Sequence, residues 1–190
     1  MNDMDGCAQS REYCAFCSTG KEELTAQIIQ RIMPVVALTP KLLCCEKHKE
    51  QWVEHTRALL PGYLFLYADA DTQLDFRLLY SLSDVYRVLT YEDQSSALRG
   101  ADSEFARWIR AEGGIIGKSN ALREGDRIHV VDGPLKLFEG AIKKVNKQRK
   151  RALVEVNFHG ICNHVWMPFE WVKAQDEEIL IKQDMRDEKR

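Results

Sequence analysis

The chain has 190 residues, enough for one ordinary domain and a second, small one. Its uncharged apolar run at residues 58–68 is too short to cross a bilayer, so we expect a cytoplasmic protein that makes no membrane contact. Six cysteines at irregular spacing are expected to be free thiols in a reducing cytosol.

The N-terminal part of the sequence predicts an α+β domain. A short alternating strand at 13–17 leads through a glycine turn into a helix over 21–33, whose apolar residues recur at helical spacing. Extended segments follow near 38–45 and 52–60, and then a core strand at 63–68. The pattern next predicts a helix within 73–83, a strand at 85–89 and a last helix at 101–111. Mostly antiparallel strands with helices in this order predict a sheet with helices packed on it.

A change in composition divides the chain. Residues 113–120 are rich in glycine and polar side chains, which is typical of a linker. We therefore predict a first domain over 1–112, a flexible linker over 113–121, a second domain over 122–174 and a charged tail over 175–190. We also expect the protein to be a monomer.

The second domain has the pattern of a small β-barrel. Apolar residues alternate in short runs between 128 and 158, and turns separate the runs. In the first turn, Asp132-Gly133-Pro134, Gly133 can adopt positive φ and Pro134 fixes the direction of the following chain. Gly140 provides a second tight or bulged position. These turns and alternations predict short strands rather than a helix.

Positive charge is concentrated in this second domain. Residues 122–174 hold ten Lys and Arg against six Asp and Glu, a net charge of +4, whereas residues 1–121 hold thirteen against seventeen, a net charge of −4. Six cations fall within the nine residues from Lys143 to Arg151. Such a run is often only a solvated turn, but it is also where a polyanion would bind.

Two segments resemble the NusG family of transcription factors. Leu59-Leu60-Pro61-Gly62-Tyr63-Leu64-Phe65-Leu66 looks like the signature strand of NusG N-terminal domains, and residues 125–158 resemble the KOW motif of its SH3-like barrel. The resemblance implies an α/β sandwich-type domain followed by a KOW β-barrel. It also implies a transcription elongation and antitermination factor that acts by binding, and no nucleophile–base constellation or phosphate-cradling loop points to an enzyme.

The resemblance implies a polymerase contact. NusG N-terminal domains grip the clamp helices of the largest RNA polymerase subunit through an apolar patch, a helix-in-groove type of contact. The family pattern places that patch here on Phe16, Tyr63, Phe65 and Tyr91. The alternative is that these four are ordinary core aromatics.

The basic barrel implies a nascent RNA hairpin as second partner, as in the LoaP subgroup of the family. Candidate contacts are cations, two histidines and an asparagine: Lys136, Lys143, Lys144, Lys147, Arg149, Lys150, Arg151, His159, Asn163 and His164. A general NusG would instead use Phe138 to recruit Rho or a small-subunit ribosomal protein. A ribosome-associated KOW protein without polymerase affinity is a further alternative. Refolding of the barrel into a helical hairpin is disfavoured by its glycines and β-branched residues.

The cysteine pairs Cys14/Cys17 and Cys44/Cys45 raise the question of a zinc site. Residues three apart or adjacent in a strand point to opposite faces, so these four thiols do not converge readily on one ion. The sequence therefore predicts buried thiols, no metal site and no cofactor.

Overall fold

The computed structural model describes residues 10–48, 51–124 and 127–172. The predicted tail at 175–190 and two residues of the KOW segment, Gly125 and Asp126, lie outside the described residues. The chain forms two compact units, one comprising Ala58–Ile115 with the described part of Met1–Lys41, the other comprising Leu42–Arg57 with the described residues from Ile116 onward. In the part of the chain that the structure describes, no helix has the length and apolarity to span a membrane.

The elements confirm the α+β class. In chain order they are β1 (Arg11–Cys17), α1 (Glu22–Ile32), β2 (Val36–Leu38), β3 (Lys41–His48), β4 (Gln51–Ala58), β5 (Tyr63–Ala68), α2 (Phe76–Tyr80), β6 (Val85–Val88), α3 (Ala101–Ala111), β7 (Ile115–Ile116), β8 (Ser119–Glu124), β9 (Arg127–Asp132), a 3₁₀ helix (Pro134–Ala141), β10 (Ile142–Asn146), β11 (Arg151–Phe158) and β12 (Ile161–Trp171). The predicted bounds of β5 and α3 are confirmed.

A four-stranded sheet in the order β2-β5-β1-β6 forms the centre of the first unit. Its β1–β5 and β2–β5 pairs are antiparallel, and so is β1–β6, which contains an irregularity between Phe16 and Cys17. Alternate residues of β1 and β5, such as Ala15 and Leu64, join α1 and α2 in a buried core on one face of the sheet. The strands are therefore buried on a face that the two N-terminal helices cover.

Helix α2 is shorter than the predicted helical segment of 73–83. The Asp75 carboxylate accepts hydrogen bonds from the backbone N–H groups of Arg77 and Leu78, which fixes the helix start at Phe76. The backbone N–H of Ser81 bonds back to the Arg77 carbonyl and ends the helix there. Local capping thus limits a periodic apolar pattern to five helical residues.

Helix α3 covers the opposite face of the sheet. The Phe105 ring lies 5.9 Å from the Phe65 ring, and the Tyr67 hydroxyl donates a 2.7 Å hydrogen bond to the Ala106 carbonyl. Glu12 of β1 is only 3% exposed on this face. Because α3 contacts both central strands, the sheet is a middle layer between helices on its two faces.

The second unit contains a five-stranded sheet in the order β10-β11-β12-β8-β9. β12 pairs with β8 in parallel, with Phe169 opposite Ser119, and the other pairs are antiparallel. The predicted Asp132-Gly133-Pro134 turn leads into the 3₁₀ helix, which also contains Gly140, the residue predicted as a second tight or bulged position. Gly133 has φ +86°, and the Leu135 N–H donates to the Ser119 hydroxyl at 2.7 Å.

The segment predicted as a flexible linker, 113–121, contains ordered strands instead. β7 occupies Ile115–Ile116, and β8 begins at Ser119, which is buried. The β3–β4 hairpin also groups with the second unit, although its sequence position lies within the predicted first domain. An Arg57 Nη atom donates to the Trp166 carbonyl at 3.2 Å, and Lys118 Nζ lies 3.5 Å from Glu54 Oε1. These long-range contacts have no signature in local composition.

Replacing Glu12 by Ala is expected to lower the free energy of unfolding of the first unit by about 2 kcal/mol. Its carboxylate accepts hydrogen bonds from Ser10 and Ser103 and lies 3.5 Å from Arg107 Nε, so the substitution leaves the buried Ser103 hydroxyl without this acceptor. Chemical denaturation followed by far-UV circular dichroism measures the change. Glu92→Ala, at an exposed loop position, is the control and should alter stability little; equal losses would contradict the role given to Glu12.

Gly133→Ala is expected to destabilise the second unit by about 2 kcal/mol, because positive φ is strained for alanine. A Cβ at Gly133 would also lie 2.8 Å from Ser119 Cα, a backbone atom that cannot rotate away. Gly140→Ala is the matched control, since a Cβ there meets nothing within 4 Å. Thermal unfolding should show a lower midpoint for Gly133→Ala alone; a similar loss in Gly140→Ala would argue against the turn as the cause.

Candidate polymerase and RNA interfaces

Three aromatic side chains meet at one end of the first unit's sheet. The Phe16 and Tyr63 rings pack edge to face with centroids 5.5 Å apart, and the Tyr86 ring lies 6.1 Å from Phe16. Phe16 and Tyr63 are half-buried, whereas Tyr86 is 60% exposed. We call Phe16, Tyr63 and Tyr86 the aromatic cluster. The Arg87 guanidinium lies 5.8 Å from the Phe16 ring centroid, which places a cation beside this apolar surface.

The Pro61-Gly62 turn positions the cluster. Gly62 has φ +83°, and a Cβ there would lie 2.7 Å from Phe16 Cε2, so the Phe16 ring rests directly on the glycine. The Gly62 carbonyl accepts a hydrogen bond from the Cys17 N–H, and the Gly62 N–H donates to Glu22 Oε1, both at 2.8 Å. A glycine is therefore required here for its backbone conformation and for the space it leaves.

Phe65 does not belong to the exposed surface. Strand alternation puts Tyr63 and Phe65 on the same face of β5, but Phe65 is 0% exposed because Phe105 of α3 covers it. The alternative stated from the sequence, that the four aromatics are ordinary core residues, therefore describes Phe65. Tyr86, which the sequence analysis did not select, is the exposed member.

Tyr91 is held in a local network beside α3. Its hydroxyl donates to Asp102 Oδ2 at 2.7 Å and accepts from the Arg99 N–H at 3.2 Å, and the Arg99 guanidinium lies 4.2 Å from its ring centroid. Burial raises the pKa of Tyr91, and the bond to Asp102 raises it further; burial also raises the pKa of Tyr63. Both hydroxyls are thus protonated donors at neutral pH.

The basic hairpin between β10 and β11 presents several cations to solvent. Lys144, Arg149 and Lys150 are exposed, while Lys147 and Arg151 are half-buried. Asn146 Oδ1 accepts a 2.9 Å hydrogen bond from the Arg149 N–H, and Lys150 adopts φ +49°. This turn therefore has a defined backbone, and like charges stand close together at its tip.

Lys143 differs from its neighbours because it has an acidic partner. It lies at an irregularity in the β10–β11 pairing, and its Nζ is 3.1 Å from Glu155 Oε2 on β11. The hydrogen bond from Lys143 lowers the pKa of the Glu155 carboxyl. His164, opposite Glu155 on β12, brings its Nε2 to 3.9 Å from the same oxygen.

The other predicted RNA contacts are distributed around the second unit. His159 lies in the turn between β11 and β12 with φ +50°, and the Asn163 amide donates to the Ile161 carbonyl at 3.2 Å. Lys136 is exposed on the 3₁₀ helix, where Phe138 is half-buried. Beside Phe138, Leu137 is 57% exposed, so this helix also offers an apolar contact.

Cys14, Cys17 and Cys44 are buried free thiols, as the sequence predicted. Burial raises the pKa of Cys14 well above its ordinary value and that of Cys17 to about 11, with Glu22 and Asp84 contributing to the latter shift. The side chain of Cys45 lies outside the described part. Among the described residues, a different group of potential metal ligands comes together on the second unit: Glu155, Cys162 and His164.

Comparison with known proteins identifies relatives named NusG. No protein-family model matches the chain. The transcription termination/antitermination protein NusG of Rickettsia typhi is 23% identical over 157 residues, covering 82% of this chain and 78% of the relative. The protein of the same name from Thermus thermophilus is 27% identical, with 61% and 67% covered, and that from Helicobacter pylori strain 26695 is 25% identical, with 80% and 84% covered.

A solved structure, described as "Domain interaction in Thermotoga maritima NusG", is 18% identical to this chain, with a TM-score of 0.49 and coverage of 84% of this chain and 94% of that one. These three curated relatives match between 61% and 82% of the chain. The chain is therefore similar in sequence to transcription termination/antitermination proteins named NusG over most of its length.

Proposed function

We propose that this protein is a specialised transcription elongation and antitermination factor that binds RNA polymerase through its first unit and a nascent RNA hairpin through its second. The polymerase part of the proposal rests chiefly on the aromatic cluster. Phe16, Tyr63 and Tyr86 offer a contiguous ring surface in which Tyr86 is 60% exposed, with the cation Arg87 beside it. Aromatic residues and arginine are the types most enriched among interface anchors.

The surface suits the coiled-coil clamp helices of the largest polymerase subunit, because an amphipathic helix pair would pack apolar side chains against the rings, and an acidic residue on its polar face would pair with Arg87. Tyr63 and Tyr86 can bury their ring bodies while their hydroxyls keep polar partners; Tyr86 already shares a 2.8 Å hydrogen bond with Ser18. Phe65 and Tyr91 would support the cluster through the packing of α3 instead of touching the polymerase.

The RNA part of the proposal rests on the exposed cations of the basic hairpin. Lys144, Arg149 and Lys150 stand on a short, ordered β-hairpin, a shape that follows a phosphate backbone without reading bases. A LoaP-like antiterminator would use this contact to select its operons. Joining two modest binding sites in one chain raises their combined affinity through effective concentration.

A general NusG function is the second candidate, and the exposed Leu137 beside half-buried Phe138 favours it. In that case the 3₁₀ helix would bind Rho or a small-subunit ribosomal protein. The basic hairpin would then be a solvated turn that keeps the protein soluble and binds no RNA. The two candidates share the polymerase contact and differ in the partner of the second unit, so RNA binding distinguishes them.

Tyr86→Ala is expected to weaken capture of RNA polymerase by the full-length protein at least about tenfold, because an interface anchor contributes about 2 kcal/mol. Biolayer interferometry with purified core polymerase measures the affinity. Val36→Ala is the control: Val36 is 40% exposed on β2, at the opposite edge of the sheet. Unchanged affinity in Tyr86→Ala, or an equal loss in Val36→Ala, would argue against the aromatic cluster as the contact.

The double reversal Arg149→Glu and Lys150→Glu is expected to weaken binding to an RNA stem-loop and to reduce the salt slope by about two. Fluorescence anisotropy at several salt concentrations, with a single strand of equal composition for comparison, measures both effects. The reversal Arg31→Glu and Arg77→Glu changes the net charge equally at exposed sites in the first unit and serves as the control.

Two results would count against the RNA proposal. If the wild-type protein prefers neither RNA, the second candidate function is favoured. If both double reversals lower affinity equally, binding depends on net charge and not on the basic hairpin.

A further inference from the structure

We infer that the outer face of the β11–β12 ladder is a binding site for Zn²⁺, formed by Glu155, Cys162 and His164. This inference does not rest on the proposed function. One ligand atom from each side chain, a carboxylate oxygen, a sulfur and an imidazole nitrogen, lies within 4.8 Å of the other two. Neither the polymerase contact nor the buried cysteines Cys14, Cys17 and Cys44 involve this cluster.

Strand pairing produces the convergence. Cys162 and His164 are two residues apart on β12, so their side chains leave the same face of the sheet. Glu155 is directly opposite His164 in the antiparallel register, and Asn157 is opposite Cys162. Side chains at directly opposite and adjacent positions of a ladder lie close enough to share one ligand. The two strands therefore hold all three donor groups without a long loop.

The donor set selects the metal. A thiolate excludes Mg²⁺ and Ca²⁺ as preferred ions, while the combination of thiolate, imidazole and carboxylate suits Zn²⁺. Tetrahedral bonds of about 2.0–2.3 Å require donor atoms roughly 3.3–3.8 Å apart. The donor atoms now lie within 4.8 Å of one another, so each must move by about an ångström to reach that range. Rotation of the Cys162 and His164 side chains can supply this movement, because both are exposed. Water would complete the fourth position.

Lys143 competes with a metal ion for the Glu155 carboxylate. Lys143 Nζ lies 3.1 Å from Glu155 Oε2, the oxygen that also faces His164 Nε2 at 3.9 Å. An ion between Glu155 and His164 would take this oxygen from the lysine. Lys143 is half exposed, so its ammonium can move into water at little cost. The site is thus accessible, and its affinity depends on a residue that is not itself a ligand.

Titration of the full-length reduced protein with Co²⁺ alone, followed by competition with Zn²⁺, tests the site. We expect one equivalent of Co²⁺ to give a thiolate-to-metal charge-transfer band that Zn²⁺ removes. The band should disappear in Cys162→Ser, and the dissociation constant should rise at least about tenfold in His164→Gln and in Glu155→Gln. His55→Gln, an exposed histidine on β4, is the matched control and should bind as the wild type does.

Lys143→Met is the complementary variant and is expected to bind Co²⁺ several-fold more tightly, because it releases the Glu155 carboxylate. Circular dichroism verifies that every variant is folded. Persistence of the charge-transfer band in Cys162→Ser would overturn the proposal, since another thiol would then be the ligand. Unchanged affinity in His164→Gln, or absence of any band in the wild type, would overturn it as well.

Discussion

Incomplete coverage of one sheet face determines the properties of the first unit. Helix α3 packs against Phe65 and Tyr67 and binds Glu12 through Ser103, so it covers most of the face opposite α1 and α2. Where this cover ends, the same face continues into Phe16 and Tyr63. Apolar residues at such a boundary stay partly exposed, which lowers the free energy of unfolding of the free protein. Burying the same residues against a partner would contribute to the free energy of binding. The position of α3 thus decides which aromatics are core and which form a surface.

Gly62 connects this surface to the backbone. Its positive φ closes the turn before β5. Because it has no side chain, the Phe16 ring can pack directly against its backbone. The two hydrogen bonds that its peptide groups make, with Cys17 and Glu22, join β1, the start of α1 and β5 at one point. The Phe16 ring is therefore held in place by the turn, and the proposed polymerase contact would cost little entropy for ordering it.

Local rules account for the parts of the fold that the sequence predicted well. Alternation and helical spacing identify β5 and α3 because each lies in a run with a single clear period. The same rules overextend α2, since periodicity cannot weigh the capping by Asp75. They place Tyr63 and Phe65 on one face of β5, but they cannot show that Phe105 of α3 covers Phe65 and not Tyr63. Tyr86 escaped selection because its exposure depends on an irregular β1–β6 pairing. Cys162 escaped selection because the third member of its group, Glu155, comes from another strand.

Charge balance on the second unit links its two proposed ligands. Glu155 sits between Lys143 and His164 and offsets part of the positive field beside the basic hairpin. A divalent ion held by Glu155 would cancel that negative charge and return Lys143 to solvent, so the surface would become more positive where phosphates are proposed to bind. Linkage then requires the reverse effect: RNA seated beside the site would raise its affinity for the metal by the same factor. If instead His164 contacts RNA directly, metal and RNA compete for its imidazole and the coupling changes sign. The sign of the coupling therefore reports whether His164 serves the metal or the RNA.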